Sequence, residues 1–149
     1  MKEIKKILFP VDLTENFQAL IPWVVTFVNK FDSALEVLFV TQDLAEFSSF
    51  HVPHVNIKSF QEEVMKAAQQ KIGQVVAESF KGLPQVEAKV AVGSPADKIL
   101  EAAQQGKVDL IIMGTHGRKG LERTIFGSVC EKVVRGAACP VLTLNPGKV

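Results

Sequence analysis

Residues 109–128 hold the amino acids best suited to binding an anion. An apolar run over residues 110–113 follows Asp109 and predicts a buried strand. Three glycines come directly after it: Gly114, Gly117 and Gly120. Glycine adopts positive φ without strain and leaves room for a ligand beside the backbone. The segment after the strand is therefore predicted to be a loop that a ligand can approach closely.

A helix is predicted to begin where this loop ends. Ser128 and Glu131 have the spacing of a capping box, in which each side chain satisfies a backbone N–H group of the other residue. The first N–H groups of a helix and the positive end of its dipole attract anions. Strand, glycine loop and helix start in this order predict a phosphate site. The alternative is that the glycines only turn the chain.

The glycine spacing separates this loop from two common phosphate-binding motifs. The P-loop pattern G-x-x-x-x-G-K-[ST] and the dinucleotide pattern G-x-G-x-x-G are both absent. The sequence has instead Gly114, two residues, Gly117, nine residues, and then Gly127-Ser128. This spacing is the feature on which a family resemblance, described below, depends.

Several charged and imidazole side chains have two interpretations each. The loop contains three basic side chains that either neutralise phosphates or stay solvated: Arg118, Lys119 and Arg123. His116 is either a phosphate contact or an ordinary loop histidine. His51 and His54 have a spacing found in metal sites, but no cysteine or third histidine joins them, so we expect surface histidines and no metal site.

The composition is that of an ordinary globular protein. The chain has 149 residues, 47% hydrophobic and 22% charged, and we expect one domain over residues 1–149. A net charge of +1 gives no general electrostatic reason to expect nucleic acid or an anionic membrane as a partner. The N-terminus lacks the pattern of a secretory signal and no apolar run is long enough to span a bilayer, so a cytoplasmic location is expected. Cys130 and Cys139 are too few for a disulfide framework and are interpreted as small apolar residues.

Apolar runs and helical periodicities alternate along the chain. Strands are predicted at residues 7–11, 34–40, 86–92, 110–113 and 140–144, and helices at about 15–30, 59–80, 95–105 and 128–136. Pro22 requires either a kink in the first helix or a later start. Ser94 is expected to cap the third helix and Gly136 to be the glycine C-cap of the fourth. Residues 41–58 have no sustained period, although 44–50 fit a short helix.

This alternation predicts an α/β fold, an open five-stranded parallel sheet with helices on both faces. Ligands of such sheets bind beyond the carboxyl ends of the strands, where the strand order reverses. Asp12 directly follows the predicted strand at residues 7–11, and Gly114 directly follows the one at residues 110–113. Asp12 is either a cap of the next helix or a ligand residue, and Thr14 is a second candidate cap.

The spacing of Gly114, Gly117, Gly127 and Ser128 resembles the nucleotide-binding signature G-2x-G-9x-G-[S/T] of the universal stress protein family. The resemblance extends over almost the whole chain, through Ile-Leu-Phe-Pro-Val-Asp, Gly-Ser-Pro-Ala-Asp, Asp-Leu-Ile-Ile-Met-Gly-Thr-His-Gly and Cys-Pro-Val-Leu-Thr-Leu. It implies a Rossmann-like strand order 3-2-1-4-5, with the first and fourth strands at the point of reversal. One departure is Leu13-Thr14, where many members have Gly-Ser.

The resemblance also assigns ligand contacts by position. It places the adenine and ribose of a nucleotide against Asp12, Pro10, Val11 and Val40, with Met113 and Gly114 beside the ribose. It assigns the phosphates to Gly117, Gly127, Ser128 and Val129. It implies a homodimer that pairs through the last strand, Val141–Leu144.

The function implied is a stress-response regulatory protein that binds ATP, ADP or AMP, with Mg²⁺ an optional companion of the nucleotide. The sequence contains no evident Walker-type lysine or dedicated carboxylate pair, so binding is favoured over catalysis. Two alternatives stay open. One is a slow Mg²⁺-dependent ATPase, and the other is a dimeric interaction module whose pocket is vacant or filled by Phe9, Phe39 or loop residues.

Overall fold

The structure is a computed structural model that describes residues 1–13, 15–47, 56–116 and 127–149. Its strands are β1 (Lys6–Val11), β2 (Ala34–Thr41), β3 (Val86–Val92), β4 (Leu110–Gly114) and β5 (Val141–Leu144). Its α-helices are α1 (Ile21–Phe31), α2 (Ile57–Ser79), α3 (Pro95–Gln105) and α4 (Ser128–Gly136). Short 3₁₀ helices cover Glu15–Leu20 and Leu44–Phe47.

All five strands run parallel in one sheet with the order β3-β2-β1-β4-β5. The predicted fold class and strand order are confirmed. The order reverses between β1 and β4, since β1 connects to β2 on one side and β4 connects to β5 on the other. The two outer strands are β3 and β5.

Both faces of the sheet are buried, because successive strand residues point to opposite faces. Ile7, Phe9 and Val11 of β1 belong to a core shared with α1 and α2. Leu8 belongs to a second core shared with α3 and α4. The near-continuous apolar runs in the sequence reflect this double burial. No helix in the described ranges is both long and apolar enough to cross a membrane.

The first two helices begin at positions that differ from the sequence prediction. The first starts as a 3₁₀ helix and becomes α-helical only at Ile21, so Pro22 lies in its first turn and the later-start interpretation is correct. α2 begins at Ile57, two residues early, because the Asn56 side chain caps it by accepting a hydrogen bond from Ser59 N at 3.2 Å. The predicted short helix at 44–50 exists over Leu44–Phe47, and residues 48–55 lie outside the described residues.

Two expectations about α4 are wrong. Ser128 is the first helical residue and not the cap, since Gly127 is the N-cap and no side chain closes a capping bond. The cause is a bond from Gly127 N to Thr115 O, 2.6 Å long, which holds Gly127 in an extended conformation ahead of the helix. Gly136 is the last helical residue and the C-cap is Ala137 in an extended conformation. Gly136 packs closely against α3, because a Cβ there would lie 2.8 Å from Leu100 Cδ1 and that side chain would have to shift.

Helical spacing predicts that Trp23 and Phe31 lie on the apolar face of the first helix and Phe60 on that of the second, but all three are exposed. Trp23 and Phe31 of α1 and Phe60 of α2 have exposed fractions of 44%, 43% and 51%. The buried stripe of α1 is limited to Val24 and Val28. Hydrophobic periodicity therefore identified the helices correctly but overestimated the width of their buried faces.

Two carboxylates, those of Asp109 and Glu36, stabilise the end of the sheet at which the strands begin, which is called the amino edge below. Asp109, just before β4, accepts hydrogen bonds from the backbone N–H groups of Lys5 and Lys6 at 2.9 and 3.0 Å. Glu36 of β2 is 1% exposed and lies 2.6 Å from Lys6 Nζ and 3.1 Å from Lys89 Nζ. The hydrogen bond to Glu36 raises the pKa of Lys89. These ion pairs tie β1, β2 and β3 together at the edge farthest from the predicted site.

Candidate functional site

The strand order reverses between β1 and β4, and the space beyond the carboxyl ends of these two strands is called the crevice below. β1 pairs with β2 along its whole length, from Lys6↔Ala34 to Val11↔Phe39. In the described part of the chain it pairs with β4 only at Ile7↔Leu110 and Leu8↔Ile111. The paired register is not continued beyond these residues toward the carboxyl ends of the two strands. This is the position at which open α/β sheets bind ligands.

The predicted contact residues on the strands face two different layers. Val40 and Met113 pack into the core shared with α3 and α4. Pro10 lies on the same face of β1 as Leu8, by strand alternation. Val11 packs into the opposite core, with α1 and α2. A ligand on the α4 side of the crevice therefore meets the side chains of Pro10, Val40 and Met113, but only the backbone of Val11.

Phe9 and Phe39 do not fill this side of the crevice. Both belong to the core on the α1 and α2 side, where they are 0% and 8% exposed. Phe9 makes an edge-to-face contact with Phe80, with ring centroids 6.1 Å apart. Both aromatic side chains therefore lie in the layer opposite α4.

Thr115 brings the two ends of the glycine loop together. Its N–H donates to Leu144 O at 2.8 Å, and its carbonyl accepts from Gly127 N at 2.6 Å. The start of α4 is thus fixed directly beside the end of β4. Sequence reasoning did not single out Thr115, although a polar residue just after a buried strand was a usable signal. Gly117 and the basic residues Arg118, Lys119 and Arg123 lie outside the described residues.

Gly114 and Gly127 are both in close contact with neighbouring groups. A Cβ at Gly127 would lie 3.1 Å from Thr115 O. A Cβ at Gly114 would lie 3.2 Å from Leu20 Cδ1 and 3.4 Å from Pro146 Cγ. A side chain at either glycine would therefore require its neighbour to shift by a few tenths of an ångström, independently of any ligand. Neither glycine has a positive φ.

The N-terminus of α4 presents backbone donors toward the crevice end of the sheet. The helix itself offers no acceptor to the N–H groups of Ser128, Val129 and Cys130, because its first internal bond runs from Glu131 N to Gly127 O at 3.0 Å. Gly127 has no side chain that could cap them. The Glu131 carboxylate pairs instead with Arg135 at 2.9 Å. These donors and the helix dipole favour an anion.

The carboxyl end of β1 leads into a left-handed turn. Asp12 is half-buried and directly follows β1. Leu13 has φ of 59°, a conformation that leucine rarely adopts. The chain then enters the first 3₁₀ helix at Glu15. Asp12 is therefore the last residue before the chain turns away from the strand direction.

Gln61 of α2 is a polar residue near this edge that the sequence did not reveal. Its Oε1 accepts a hydrogen bond from Leu44 N at 2.8 Å, just beyond the end of β2. Its Nε2 is buried and has no hydrogen-bond partner among the residues that the structure describes. A glutamine on the apolar stripe of an amphipathic helix was the available signal.

Burial disfavours the thiolate form of both cysteines. Burial raises the pKa of the Cys130 thiol to about 11, and burial also raises the pKa of Cys139. Both thiols therefore stay neutral near pH 7, as their interpretation as small apolar residues requires. Within the described ranges, no group of three or more histidine, cysteine, aspartate or glutamate side chains is arranged to hold a metal ion. His51 and His54 lie outside the described residues.

A second concavity, of about 290 Å³, lies between α3 and β3. Its charged lining residues are already paired with one another, Lys89 with Glu36 at 3.1 Å and Lys98 with Glu101 at 2.7 Å. Charges that neutralise each other offer little to a ligand. The crevice beside α4 is the better candidate site, because the helix itself offers no acceptor to the first N–H groups of α4.

The sequence model of the universal stress protein family matches residues 3–145. The universal stress protein MJ0531 of Methanocaldococcus jannaschii is 30% identical over 145 residues, which cover 97% of this chain and 84% of that protein. The chain therefore belongs to the universal stress protein family.

Solved structures agree with the fold. The structure of MJ0577, a universal stress protein of the same archaeon, has a TM-score of 0.81 at 26% identity and covers 97% of both chains. A universal stress protein from Archaeoglobus fulgidus, solved in complex with dAMP, has a TM-score of 0.63 at 15% identity, over 96% of this chain and 98% of that one. At such low identity the second likeness concerns the fold alone.

Proposed function

We propose that this chain binds ATP, ADP or AMP in the crevice between the carboxyl ends of β1 and β4, and acts as a stress-response regulatory protein. The observation that carries the proposal is the bond from Gly127 N to Thr115 O at 2.6 Å. It places the N-terminus of a helix beside the end of β4. The fold of the family, which in the A. fulgidus protein accompanies a complex with dAMP, supports an adenine nucleotide as the ligand.

The phosphates are assigned to the start of α4. The N–H groups of Ser128 and Val129 are oriented along the helix axis and have no acceptor within the helix. Ser128 is exposed, so its hydroxyl is also accessible. Gly127 completes the described part of this phosphate site, and Gly117 is proposed as its second glycine. Mg²⁺ accompanies the nucleotide through its phosphates.

The adenosine is assigned to the other side of the crevice. Pro10, Val40 and Met113 supply the apolar contact from the layer that α4 shares. Asp12 supplies the carboxylate, and Gly114 and the backbone of Val11 complete the lining. An apolar surface with a few oriented polar groups is typical of small-molecule sites.

Binding without efficient turnover is proposed because of the groups assigned to the site. They are backbone donors, apolar side chains and one carboxylate. Phosphoryl transfer needs a positioned metal, a group that orients the nucleophile, and charge stabilisation. We expect any ATP hydrolysis to stay below about 1 s⁻¹, the low end of typical enzymes. ADP release from purified protein, measured with and without Mg²⁺, tests this expectation, and faster turnover would favour the ATPase alternative.

The proposed assembly is a homodimer through β5. Each outer strand offers an open edge, but β3 carries Glu87 and Lys89 whereas Val141–Leu144 is uncharged. Charged edges resist pairing with another strand, and uncharged ones permit it. Sedimentation of the wild type is expected to give twice the chain mass. Thr143→Glu is expected to give the monomer, because two like charges would face each other across the interface.

Thermal unfolding tests the ligand. Nucleotide-free protein is heated with ATP, ADP or AMP, with ATP and Mg²⁺, or with GTP. A ligand at a hundred times its dissociation constant adds about 2.7 kcal/mol of stability, which corresponds to a shift on the order of 5–10 °C for a chain of this size. We expect that shift with ATP and a smaller one with GTP. No shift with ATP, ADP or AMP would favour the interaction module with a vacant site.

Gly127→Val tests the place of binding. A valine there would occupy the approach of the phosphate, so we expect ATP binding to be lost. Its Cβ would also lie 3.1 Å from Thr115 O, so circular dichroism and ligand-free melting must show that the variant is folded. Gly73→Val is the control, because a Cβ at Gly73 has no neighbour within 4 Å and this glycine lies on the exposed side of α2. Unchanged affinity in a folded Gly127→Val protein would remove α4 from the site.

A further inference from the structure

Leu13 differs from the other left-handed residues of the described chain. Three residues other than glycine have positive φ, namely Leu13 at 59°, Asp32 at 51° and Lys107 at 49°. Asp32 is the C-cap of α1, and Lys107 follows the C-cap of α3. A left-handed residue is common at the end of a helix. Leu13 instead follows a strand, so helix termination does not explain it.

The side chain of Leu13 is partly buried in the left-handed conformation. It packs against the core shared by α1 and α2, the same core that holds Val11. Leucine has no intrinsic preference for positive φ, and such a conformation persists only where the surrounding structure enforces it. The packing of Leu13 supplies that enforcement.

The position of Leu13 decides what the turn can do. β1 ends at Val11, Asp12 follows, and the left-handed turn comes next. The turn directs the chain into the 3₁₀ helix Glu15–Leu20, away from the extension of β1. Since β1 and the 3₁₀ helix are both packed in the fold, a negative φ at Leu13 would have to be compensated by rotations at neighbouring residues, including Asp12.

We propose that Leu13 is a positioning residue for Asp12. Its left-handed backbone presents Asp12 to the nucleotide, and its packed side chain holds the backbone in that conformation. Leu13 itself need not touch the ligand. This inference rests on the proposed function, since it concerns the affinity of the same crevice for an adenine nucleotide.

Substitutions at Leu13 separate the turn from the packing. Leu13→Asn and Leu13→Ala both remove most of the packed side chain, but asparagine accepts the left-handed conformation and alanine does not. Leu13→Gly removes the side chain and favours the turn, whereas Leu13→Val retains apolar packing and opposes it. If packing alone mattered, affinity would follow side-chain volume, with valine best and glycine worst. The proposal gives the opposite order.

The measurement is the ATP dissociation constant by isothermal titration calorimetry, with folding of each variant confirmed by urea unfolding. We expect the Asn and Gly variants to bind within about threefold of the wild type. The Ala variant is expected to bind roughly five- to thirtyfold more weakly, because binding must then restore the left-handed turn. Equal affinity in the Asn and Ala variants, or an order that follows volume, would overturn the proposal. The Asn–Ala comparison is sufficient if valine prevents folding.

A double-mutant cycle tests whether Leu13 acts through Asp12. In an Asp12→Asn background, Leu13→Ala is expected to have less than a twofold effect on affinity, since the side chain that it positions is already altered. An undiminished effect would contradict a role through Asp12. A wild-type protein that binds no adenine nucleotide would overturn the proposed function, and this inference with it. A wild type that binds, with the wrong order of variants, would overturn the inference alone.

Discussion

The two edges of the sheet use their polar groups in different ways. At the amino edge, the buried Glu36 carboxylate is held by Lys6 and Lys89, and Asp109 holds two backbone N–H groups of β1. At the carboxyl edge, the start of α4 has no side-chain cap, and β1 and β4 no longer pair. The charged groups at the amino edge are therefore already paired within the fold.

This difference indicates at which end of the sheet a ligand gains the most binding free energy. A polar group that already has a strong partner must lose that partner before it can bind anything else. The helix N–H groups at Ser128 and Val129 have no competing acceptor within α4. We therefore expect substitutions at the amino edge to change stability and substitutions at the carboxyl edge to change affinity. The following predictions, in order of decreasing effect, test this separation.

Glu36→Gln is expected to lower the free energy of unfolding by about 2–4 kcal/mol, because it leaves the Lys6 ammonium beside a neutral buried group. Partial exposure of both lysine partners keeps the effect below that of a fully buried pair. The control is Glu87→Gln, on the exposed side of the same Lys89, which is expected to change stability little. Both are measured by urea unfolding. A fall in ATP affinity in the Glu36 variant would break the separation of the two edges.

The buried Cys130 thiol, in the core shared by α3 and α4, is expected to make the free energy of unfolding depend on pH. Burial raises its pKa from 9.0 to about 11, so the native state holds the proton more tightly than the unfolded state. Stability is unaffected below pH 9 and falls as the pH rises toward 11, by about 2–3 kcal/mol. Urea unfolding of the wild type and of Cys130→Ala over this range is the measurement. If the two proteins lose stability in parallel, Cys130 is not the source.

The two ends of α4 offer a matched pair of glycines. Gly136→Ala places a Cβ 2.8 Å from Leu100 Cδ1, which must shift, but alanine is also favoured over glycine in a helix, so we expect a net change in stability within about 1 kcal/mol and unchanged ATP affinity. Gly127→Ala places a Cβ 3.1 Å from Thr115 O, and we expect a roughly tenfold weaker affinity, equivalent to about 1.4 kcal/mol. Urea unfolding and calorimetric titration of both variants separate the two effects. Equal affinity losses at both ends would show that the helix responds as a whole.

The smallest effect is expected at the surface between α3 and α4. Lys132 and Asp97 form an ion pair 2.8 Å long, but both side chains are more than half exposed, at 56% and 59%. Solvent and salt screen such a pair. Lys132→Ala should leave the midpoint of urea unfolding unchanged within error. A clear shift would mean that the position of α4 depends on this contact.

The fold was largely predictable because its determinants are local. Apolar runs identified all five strands, and Ser94-Pro95 correctly marked the start of α3. The strand order came from the family resemblance, since no local pattern encodes which strands are neighbours. The cap of α4 was misassigned because the bond from Gly127 to Thr115 joins positions twelve residues apart, and no capping pattern contains it.

The site was predictable only at the level of sequence positions. The spacing of Gly114, Gly127 and Ser128 indicated a phosphate loop, but not that Thr115 closes it. The left-handed turn at Leu13 had no signal in the residue itself, because leucine has no preference for that conformation. Only the folded structure reveals this turn and the packing of Leu13 against the core shared by α1 and α2.

The central claim is that an adenine nucleotide binds at the carboxyl edge beside the start of α4. A titration of ATP into ¹⁵N-labelled protein, followed through the backbone amide resonances, tests it most directly. We predict saturable chemical-shift changes at the backbone amides of Asp12, Gly127, Ser128 and Val129. Little change is expected at those of Lys6, Glu36 and Lys89. Shifts centred on the amino-edge residues, or no saturable shift at Ser128 and Val129, would contradict it.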